Sequence, residues 1–268
     1  MPVSEQQAQA LRQPLATAMR EAGALAMRTY RSASLKSWTK SGTSPVSEAD
    51  IAVDHLLRAR LGTLVPDAAW LSEETDDDRA RLAVPDVWVV DPIDGTRAYI
   101  AGLEDWTISV ALVRDGHPVL AALYAPVSDE MFLASRGNGA HLNDRPLAVT
   151  PAATIAGASF AGPQRYLDWV TGIKAGTTTV PKIHSLALRL ARVADGTIDA
   201  AFTGGNSHDW DLAAADLLVH EAGGALTDFH GRSLTYNAAK PVHGALVAAG
   251  TARHAALVAL AQARDSGP

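Results

Sequence analysis

Four apolar residues, Val87-Trp88-Val89-Val90, run without a polar break into Asp91-Pro92-Ile93-Asp94-Gly95-Thr96. Such a run, rich in β-branched residues, reads as a buried strand. It ends in two carboxylates three residues apart, followed by a glycine, a hydroxyl and the start of a new segment. A strand end is rigid, so carboxylates there keep fixed distances, as a hard divalent cation requires. Pro92 removes a backbone donor and stiffens the turn. Gly95 lets the backbone approach a ligand closely, and amides that open a helix suit a phosphate. These parts point to metal-assisted phosphate chemistry.

The rest of the chain is compatible with that chemistry. At 268 residues it buries a large core, read as a single domain over 1–268 with halves at about 1–150 and 151–268. The formal net charge of −6 argues against nucleic-acid polymers and anionic membranes as partners, and a small anionic substrate then needs a local positive centre. The absence of cysteine excludes disulfides, thiolate zinc sites and cysteine nucleophiles. The polar stretch Met1 to Gln13 lacks the pattern of a signal peptide, and no apolar run reaches the length of a membrane span. A soluble, cytoplasmic protein is expected.

Helical spacing of Leu15, Met19, Ala22, Leu25 and Ala26 predicts an amphipathic helix from about Pro14 to Arg28. Lys36 to Ser47, with Gly42 and Pro45, reads as a loop. Ser47-Glu48-Ala49-Asp50 reads as a helix start with Ser47 as cap, carrying Val53, Leu56 and Leu57 inward. Asp67 to Leu71 reads as a short strand. Trp106 to Val113, Val119 to Tyr124 and Met131 to Ala134 read as antiparallel runs. Helices are expected over Ser185 to Ala194, Trp210 to Ala222 and after Thr251, with strands at Ile198 to Phe202, Ala225 to Asp228 and Gly244 to Ala249. Helices and strands alternate irregularly, which predicts layered α/β or α+β architecture.

Glu73, Asp91, Asp94 and Asp211 each fall at an element end, where an α/β sheet can gather them into one cleft. An all-oxygen set suits Mg²⁺ together with a substrate phosphate, and no His-Glu-x-x-His motif marks a zinc site. Divalent charge there would offset the repulsion between a phosphate dianion and an incoming hydroxide. Thr96 with Glu73 is placed to hold a water, and the Gly95 and Thr96 amides to hold phosphate oxygens. Taken singly, the acids have plainer readings. Asp50 completes a capping box, Glu73 to Asp78 is a solvated charge run, and Asp211 complements a helix dipole.

Taken together, the motifs resemble the inositol monophosphatase superfamily of metal-dependent, typically lithium-sensitive phosphatases. The resemblance rests on Ser44-Pro45-Val46-Ser47-Glu48-Ala49-Asp50, Leu71-Ser72-Glu73-Glu74-Thr75, Asp91 to Thr96, Trp210-Asp211-Leu212-Ala213-Ala214 and Glu221-Ala222-Gly223-Gly224, in the family's order. It implies a layered α-β-α-β-α sandwich, often a homodimer, with two or three Mg²⁺ per site. By resemblance, Glu73, Asp91 and the Ile93 carbonyl hold the activating metal. Asp91, Asp94 and Asp211 hold the second, and Asp50 serves a third or water-mediated position. Gly95 and Thr96 then bind phosphate, with Glu73, Asp94 and Thr96 as the catalytic set.

Departures from the family pattern bear on substrate. Gly204 stands where inositol-specific relatives carry a glutamate for substrate hydroxyls, which weakens an inositol reading. Ser185 matches a position near the substrate sugar and is preceded by His184 instead of the common glycine. Arg97-Ala98-Tyr99-Ile100 and Glu104 to Ile108 look closer to bacterial 3′(2′),5′-bisphosphate nucleotidases. Those nucleotides rank first among expected substrates, inositol monophosphate second and histidinol phosphate third. A catalytically silent homologue that binds a ligand is the alternative outside enzymology. His208 is a candidate phosphate or sugar contact, Tyr99 and the tryptophans are read as core, and Arg189 and Arg192 as a solvated helix face.

Overall fold

The computed structural model describes residues 3–40, 44–173 and 176–265. Helices α1 (Glu5–Ala10) and α2 (Arg12–Met27) lead through a short antiparallel pair, β1 (Ser37–Thr39) and β2 (Pro45–Ser47), into α3 (Glu48–Leu64). Strands β3 (Ala69–Ser72) and β4 (Asp86–Asp94), the short α4 (Thr96–Ile100), then β5 (Thr107–Arg114), β6 (His117–Ala125), β7 (Glu130–Ser135), β8 (Ala140–Leu142) and β9 (Arg145–Pro146) follow. The second half contains β10 (Ser159–Ala161), α5 (Gln164–Ile173), β11 (Thr178–Thr179), α6 (Leu186–Ala194), β12 (Ala200–Phe202), β13 (Ser207–His208) and α7 (Asp209–Glu221). It closes with β14 (Gly224–Asp228), β15 (Val242–His243), β16 (Leu246–Gly250) and α8 (Thr251–Asp265).

Strands β3 to β9 form one sheet in sequence order, parallel only between β3 and β4. A second sheet has the order β11-β10-β12-β16-β14, with β11, β10 and β12 parallel. Alternation along the strands sorts side chains into layers. Trp88, Val90, Val110 and Leu112 pack with Leu15, Met19, Val53 and Leu57 of α2 and α3. Val87, Val89, Ala111 and Val113 face the opposite way, onto Leu190 of α6 and Leu218 of α7. Those two helices also cover Leu226 and Ala248 of the second sheet. The far face of that sheet, with Phe160, Phe202 and Val247, is covered by Leu167 of α5 and Leu257 of α8. The result is the α-β-α-β-α layering that the resemblance implies. Strand β4 is buried on both faces, which is why its sequence shows no alternation.

Several expectations are corrected. Lys36 to Ser47 is not a plain loop, because β1 and β2 pair across it; Gly42 lies outside the described residues. The polar N-terminal stretch holds α1, started by a Ser4–Gln7 capping box. Arg189 and Arg192 are not a solvated face. Arg189 donates to the Ile183 and Phe202 carbonyls, and Arg192 grips Glu130 with both amino groups, at 2.6 and 2.7 Å. Tyr99 and Trp106 are fully buried in an edge-to-face pair, as the core reading expects, whereas Trp38 on β1 departs from it and is 48% exposed. No helix among the described residues is long and apolar enough to cross a membrane.

Candidate active site

In a regular strand, residues three apart point to opposite faces, so Asp91 and Asp94 should not meet. The register along β5 shows how they do. Asp91 pairs with Ser109 and Asp94 with Thr107, so three steps on β4 oppose two on β5. One extra residue is a bulge, and it turns both carboxylates to the same side. The Asp91 carboxylate accepts the Ile93 amide at 3.0 Å, which braces the bulge. Gly95 then takes φ +98°, and a Cβ there would stand 3.3 Å from the Asp105 carbonyl, the Ser185 amide and Trp106. Only glycine meets both conditions without strain.

Two further elements bring acids to this point. Glu73 follows β3 and continues its parallel pairing, its amide donating to the Val90 carbonyl. Asp211 lies in the first turn of α7, where its carboxylate accepts the His208 amide at 2.7 Å. Oxygens of Asp91, Asp94 and Asp211 lie within 4.8 Å of one another. The cavity they open into measures about 230 Å³ and is also lined by Ser44, Pro45, Glu73, Ile93, Gly95, Thr96, Arg97, Lys182 and His184.

Charge is poorly compensated here. Burial, then the charges of Glu73, Asp94 and Asp211, hold Asp91 well above the usual carboxylate range. Burial does the same to Asp211, with Asp94 adding to it. Burial pushes Glu73 up to about 7, opposed by Lys40 and reinforced by Glu74, Asp50 and Asp94. Asp94 is raised by burial although Ser185 and the Ala187 and Leu186 amides hydrogen-bond to it. Buried carboxylates without matching cations are costly, and hard oxygen donors favour divalent ions. The donor set therefore fits Mg²⁺, with Glu73, Asp91, Asp94, Asp211 and the Ile93 carbonyl as the oxygens available to it.

The cavity gathers Glu73, Asp91, Ile93, Asp94, Gly95, Thr96, His184 and Asp211. Asp50, Ser185, Gly204 and His208 are placed elsewhere. Asp50 accepts the Ser47 amide and hydroxyl on one oxygen and the Thr96 hydroxyl on the other at 3.0 Å. It therefore reaches the site through Thr96. Thr96 has one proton to share between Asp50 and the Ile93 carbonyl, so its oxygen lone pairs remain for a water. Ser185 is fully buried; its hydroxyl donates to Asp94 at 2.6 Å and caps α6. His184 is held by Asp105, which accepts both its amide and its Nδ1–H. His208 stacks on Trp210 with ring centroids 4.5 Å apart. Gly204 faces open space, with only Pro163 at 4.0 Å from where a Cβ would be.

Sequence reasoning missed Lys40 and Lys182. Lys40 donates to the Glu73 carbonyl at 3.0 Å and pairs with Glu74, so the acidic run is not simply solvated. Neither lysine sits in a motif that would single it out.

Comparison with known proteins agrees with this geometry. The profile of the inositol monophosphatase family matches residues 7–266. The chain belongs to the inositol monophosphatase family. An inositol-1-monophosphatase of Mesorhizobium japonicum is 34% identical over 200 residues, covering 69% of this chain and 73% of that protein. A 3′(2′),5′-bisphosphate nucleotidase CysQ of Aggregatibacter actinomycetemcomitans is 30% identical over 222 residues, covering 79% and 82%. Among solved structures, the extragenic suppressor protein SuhB of Bartonella henselae superposes with a TM-score of 0.81 at 27% identity, covering 94% of this chain and 98% of that one. As an inositol monophosphatase family member the chain is a phosphatase, and the buried acids are the part of it suited to metal-assisted chemistry.

The placement of Asp50 makes a testable distinction. Asp50→Asn is expected to lower kcat about 10- to 100-fold, the range for losing an outer partner that orients a group of the site. The Mg²⁺ concentration giving half the maximal rate should move less than threefold. A metal titration of the rate checks this, and a half-maximal Mg²⁺ concentration raised tenfold or more would make Asp50 a direct ligand instead.

Proposed function

We propose that the protein is a Mg²⁺-dependent phosphomonoesterase that hydrolyses a small phosphate monoester, with 3′(2′),5′-bisphosphate nucleotides as its preferred substrates. The observation that carries the phosphatase reading is the convergence of Glu73, Asp91, Asp94 and Asp211, from three separate elements, beside the Thr96 hydroxyl. Two or three divalent cations held by these oxygens would supply charge neutralisation and lower the pKa of a water. The protein's own groups do the rest. Thr96, its proton committed to Asp50 or Ile93, accepts a hydrogen bond from the attacking water and fixes its lone pair toward phosphorus. The Glu73 carboxylate takes the position opposite, and the Gly95 and Thr96 amides hold phosphate oxygens.

The preference for a nucleotide rests on Arg97-Ala98-Tyr99-Ile100 and Glu104 to Ile108, which look closer to bacterial 3′(2′),5′-bisphosphate nucleotidases, and on Gly204, which offers no side-chain partner for polyol hydroxyls. Inositol monophosphate is the second reading, favoured by relatives that carry the inositol-1-monophosphatase name. We expect a homodimer, sensitive to lithium, as the family resemblance implies.

The test is phosphate release from 3′-phosphoadenosine 5′-phosphate, inositol 1-phosphate and histidinol phosphate, with Mg²⁺ and with EDTA. A nucleotide kcat/KM about a hundredfold above the others corresponds to about 2.7 kcal/mol of transition-state discrimination and assigns the substrate. A higher value for inositol phosphate reverses the ranking. No release from a broad panel of phosphate esters with Mg²⁺ present favours the catalytically silent, ligand-binding alternative.

A further inference from the structure

The acidic connection between β3 and β4 contains a buried cation. Arg81, on a 3₁₀ turn over Arg79–Ala83, is only 1% exposed. A buried guanidinium is costly unless its donors are met. Four of its five N–H groups find acceptors, on two distant parts of the chain. Nε and Nη2 hold the two Asp77 oxygens at 2.6 and 2.9 Å. Nη1 donates to Asn237 Oδ1 at 2.6 Å, and Nη2 also to the Ala238 carbonyl at 3.1 Å.

The chain of contacts continues beyond Asn237. Its backbone takes φ +58°, and its amide donates to Asp209 Oδ2 at 2.6 Å. Asp209 is fully buried in the first turn of α7, where its other oxygen holds His243 Nε2 at 2.7 Å. The Asp209 amide in turn donates to the Pro241 carbonyl. The segment from Asn237 to His243 thus clasps the start of α7, and Asp211 belongs to the same turn as Asp209. At the other end, Asp77 lies four residues beyond Glu73, on the segment that also carries the Lys40–Glu74 pair. Hydrogen bonds therefore run without a gap from Asp77 through Arg81 and Asn237 to Asp209.

The origin of the acids gives this strut its use. Asp91 and Asp94 share one strand, whose bulge sets their spacing. Glu73 and Asp211 come from different halves of the chain, so no local geometry fixes their separation. A functional constellation tolerates misplacement of only about 0.5 Å. Arginine, with its planar fork of donors, holds several segments at set angles where lysine holds one.

We propose that Arg81 is a positioning residue of the metal site, setting the separation of Glu73 and Asp211 through Asp77 on one side and Asn237 and Asp209 on the other. The inference rests on the carboxylate cluster as a site for divalent ions. The plainer role for Arg81 is a charge partner that steadies the acidic run and leaves the metal site untouched.

Three variants separate the two roles. N237G removes the side-chain link to Arg81, while glycine keeps the positive φ and the amide that bonds Asp209. R81K keeps the charge and loses the fork. R253K is the control: Arg253 is 3% exposed and bridges Thr150, Thr154 and Asp199, none of which lines the catalytic cavity. Mn²⁺ binding to each purified protein is read from the paramagnetic resonance of the free ion, with Tm measured alongside. N237G and R81K are expected to weaken Mn²⁺ binding about tenfold, the scale for losing an outer partner of a metal site. The Mg²⁺ concentration giving half the maximal rate should rise by a similar factor. R253K should lower Tm and keep Mn²⁺ affinity within about twofold of wild type, as distant, independent sites do. Affinity kept within about threefold in N237G and R81K, or an equal loss in R253K, overturns the positioning role and leaves the metal site intact. A wild type that binds no Mn²⁺ overturns the cluster as a metal site. Should R81K fail to fold, N237G alone decides.

Discussion

Asp91→Asn is expected to reduce the Mg²⁺-supported kcat by about a thousandfold or more, about 4 kcal/mol of transition-state stabilisation. Asp91 is the most buried member of the cluster and braces the Ile93 turn through its own hydrogen bond. Asparagine keeps the oxygen that braces that turn and removes the charge. The same change should make the metal-free protein more stable by a few degrees in Tm. Asp91 is opposed by burial and by four neighbouring carboxylates, Glu73, Asp94, Asp211 and Asp50, so losing its charge relieves the folded state. Kinetics with Mg²⁺ and thermal melts in EDTA check the two halves. A variant both inactive and less stable without metal would assign Asp91 a purely structural role.

The second large effect is in the pH dependence of metal-free stability. Burial raises the Glu73 carboxyl from 4.5 to about 7 in the folded protein. A folded pKa above the unfolded one means that the folded state binds more protons between those values, so stability falls as pH rises. The stabilisation is fully present below pH 4.5 and is lost by about pH 7, amounting to about 3 kcal/mol from this group. Asp91, Asp94 and Asp211 are shifted the same way and add to the trend. Melting in EDTA should therefore show Tm declining from pH 5 to pH 8. Saturating Mg²⁺ should raise Tm far more at pH 8 than at pH 5, because the ion binds the ionised carboxylates. Equal Mg²⁺ shifts at both values would count against the cluster as the metal site.

Much of this was legible because local chemistry agreed with the final fold. The Ser47–Asp50 capping box starts α3 as its spacing predicts, and the unbroken apolar run of β4 reflects a sheet covered on both sides. The motif at Asp91 to Thr96 marked the site because each of its residues has a use there. What was hidden depends on partners far along the chain. The bulge that turns Asp91 and Asp94 together is a register fact, visible only once β5 is paired. Arg189 and Arg192 resemble a surface stripe until Ile183, Phe202 and Glu130 are brought to them. Helix α5 was not read, although Tyr166, Leu167, Trp169, Val170 and Ile173 fall at helical spacing between Gln164 and Ile173. Ser185 was read as a sugar contact, whereas in the fold it supports Asp94 from behind and its side chain is shut off from the cavity. Lys182 carries no motif; only the folded chain brings it to the rim of the catalytic cavity.

The most direct measurement is anomalous diffraction from crystals soaked in Mn²⁺, a cation with the same preference for oxygen ligands. The account predicts strong anomalous peaks within coordination distance of Asp91, Asp94 and Asp211, with Glu73 and the Ile93 carbonyl completing the set, and their loss in Asp91→Asn crystals. Manganese bound only elsewhere on the protein, with these carboxylates left without a metal, would contradict it.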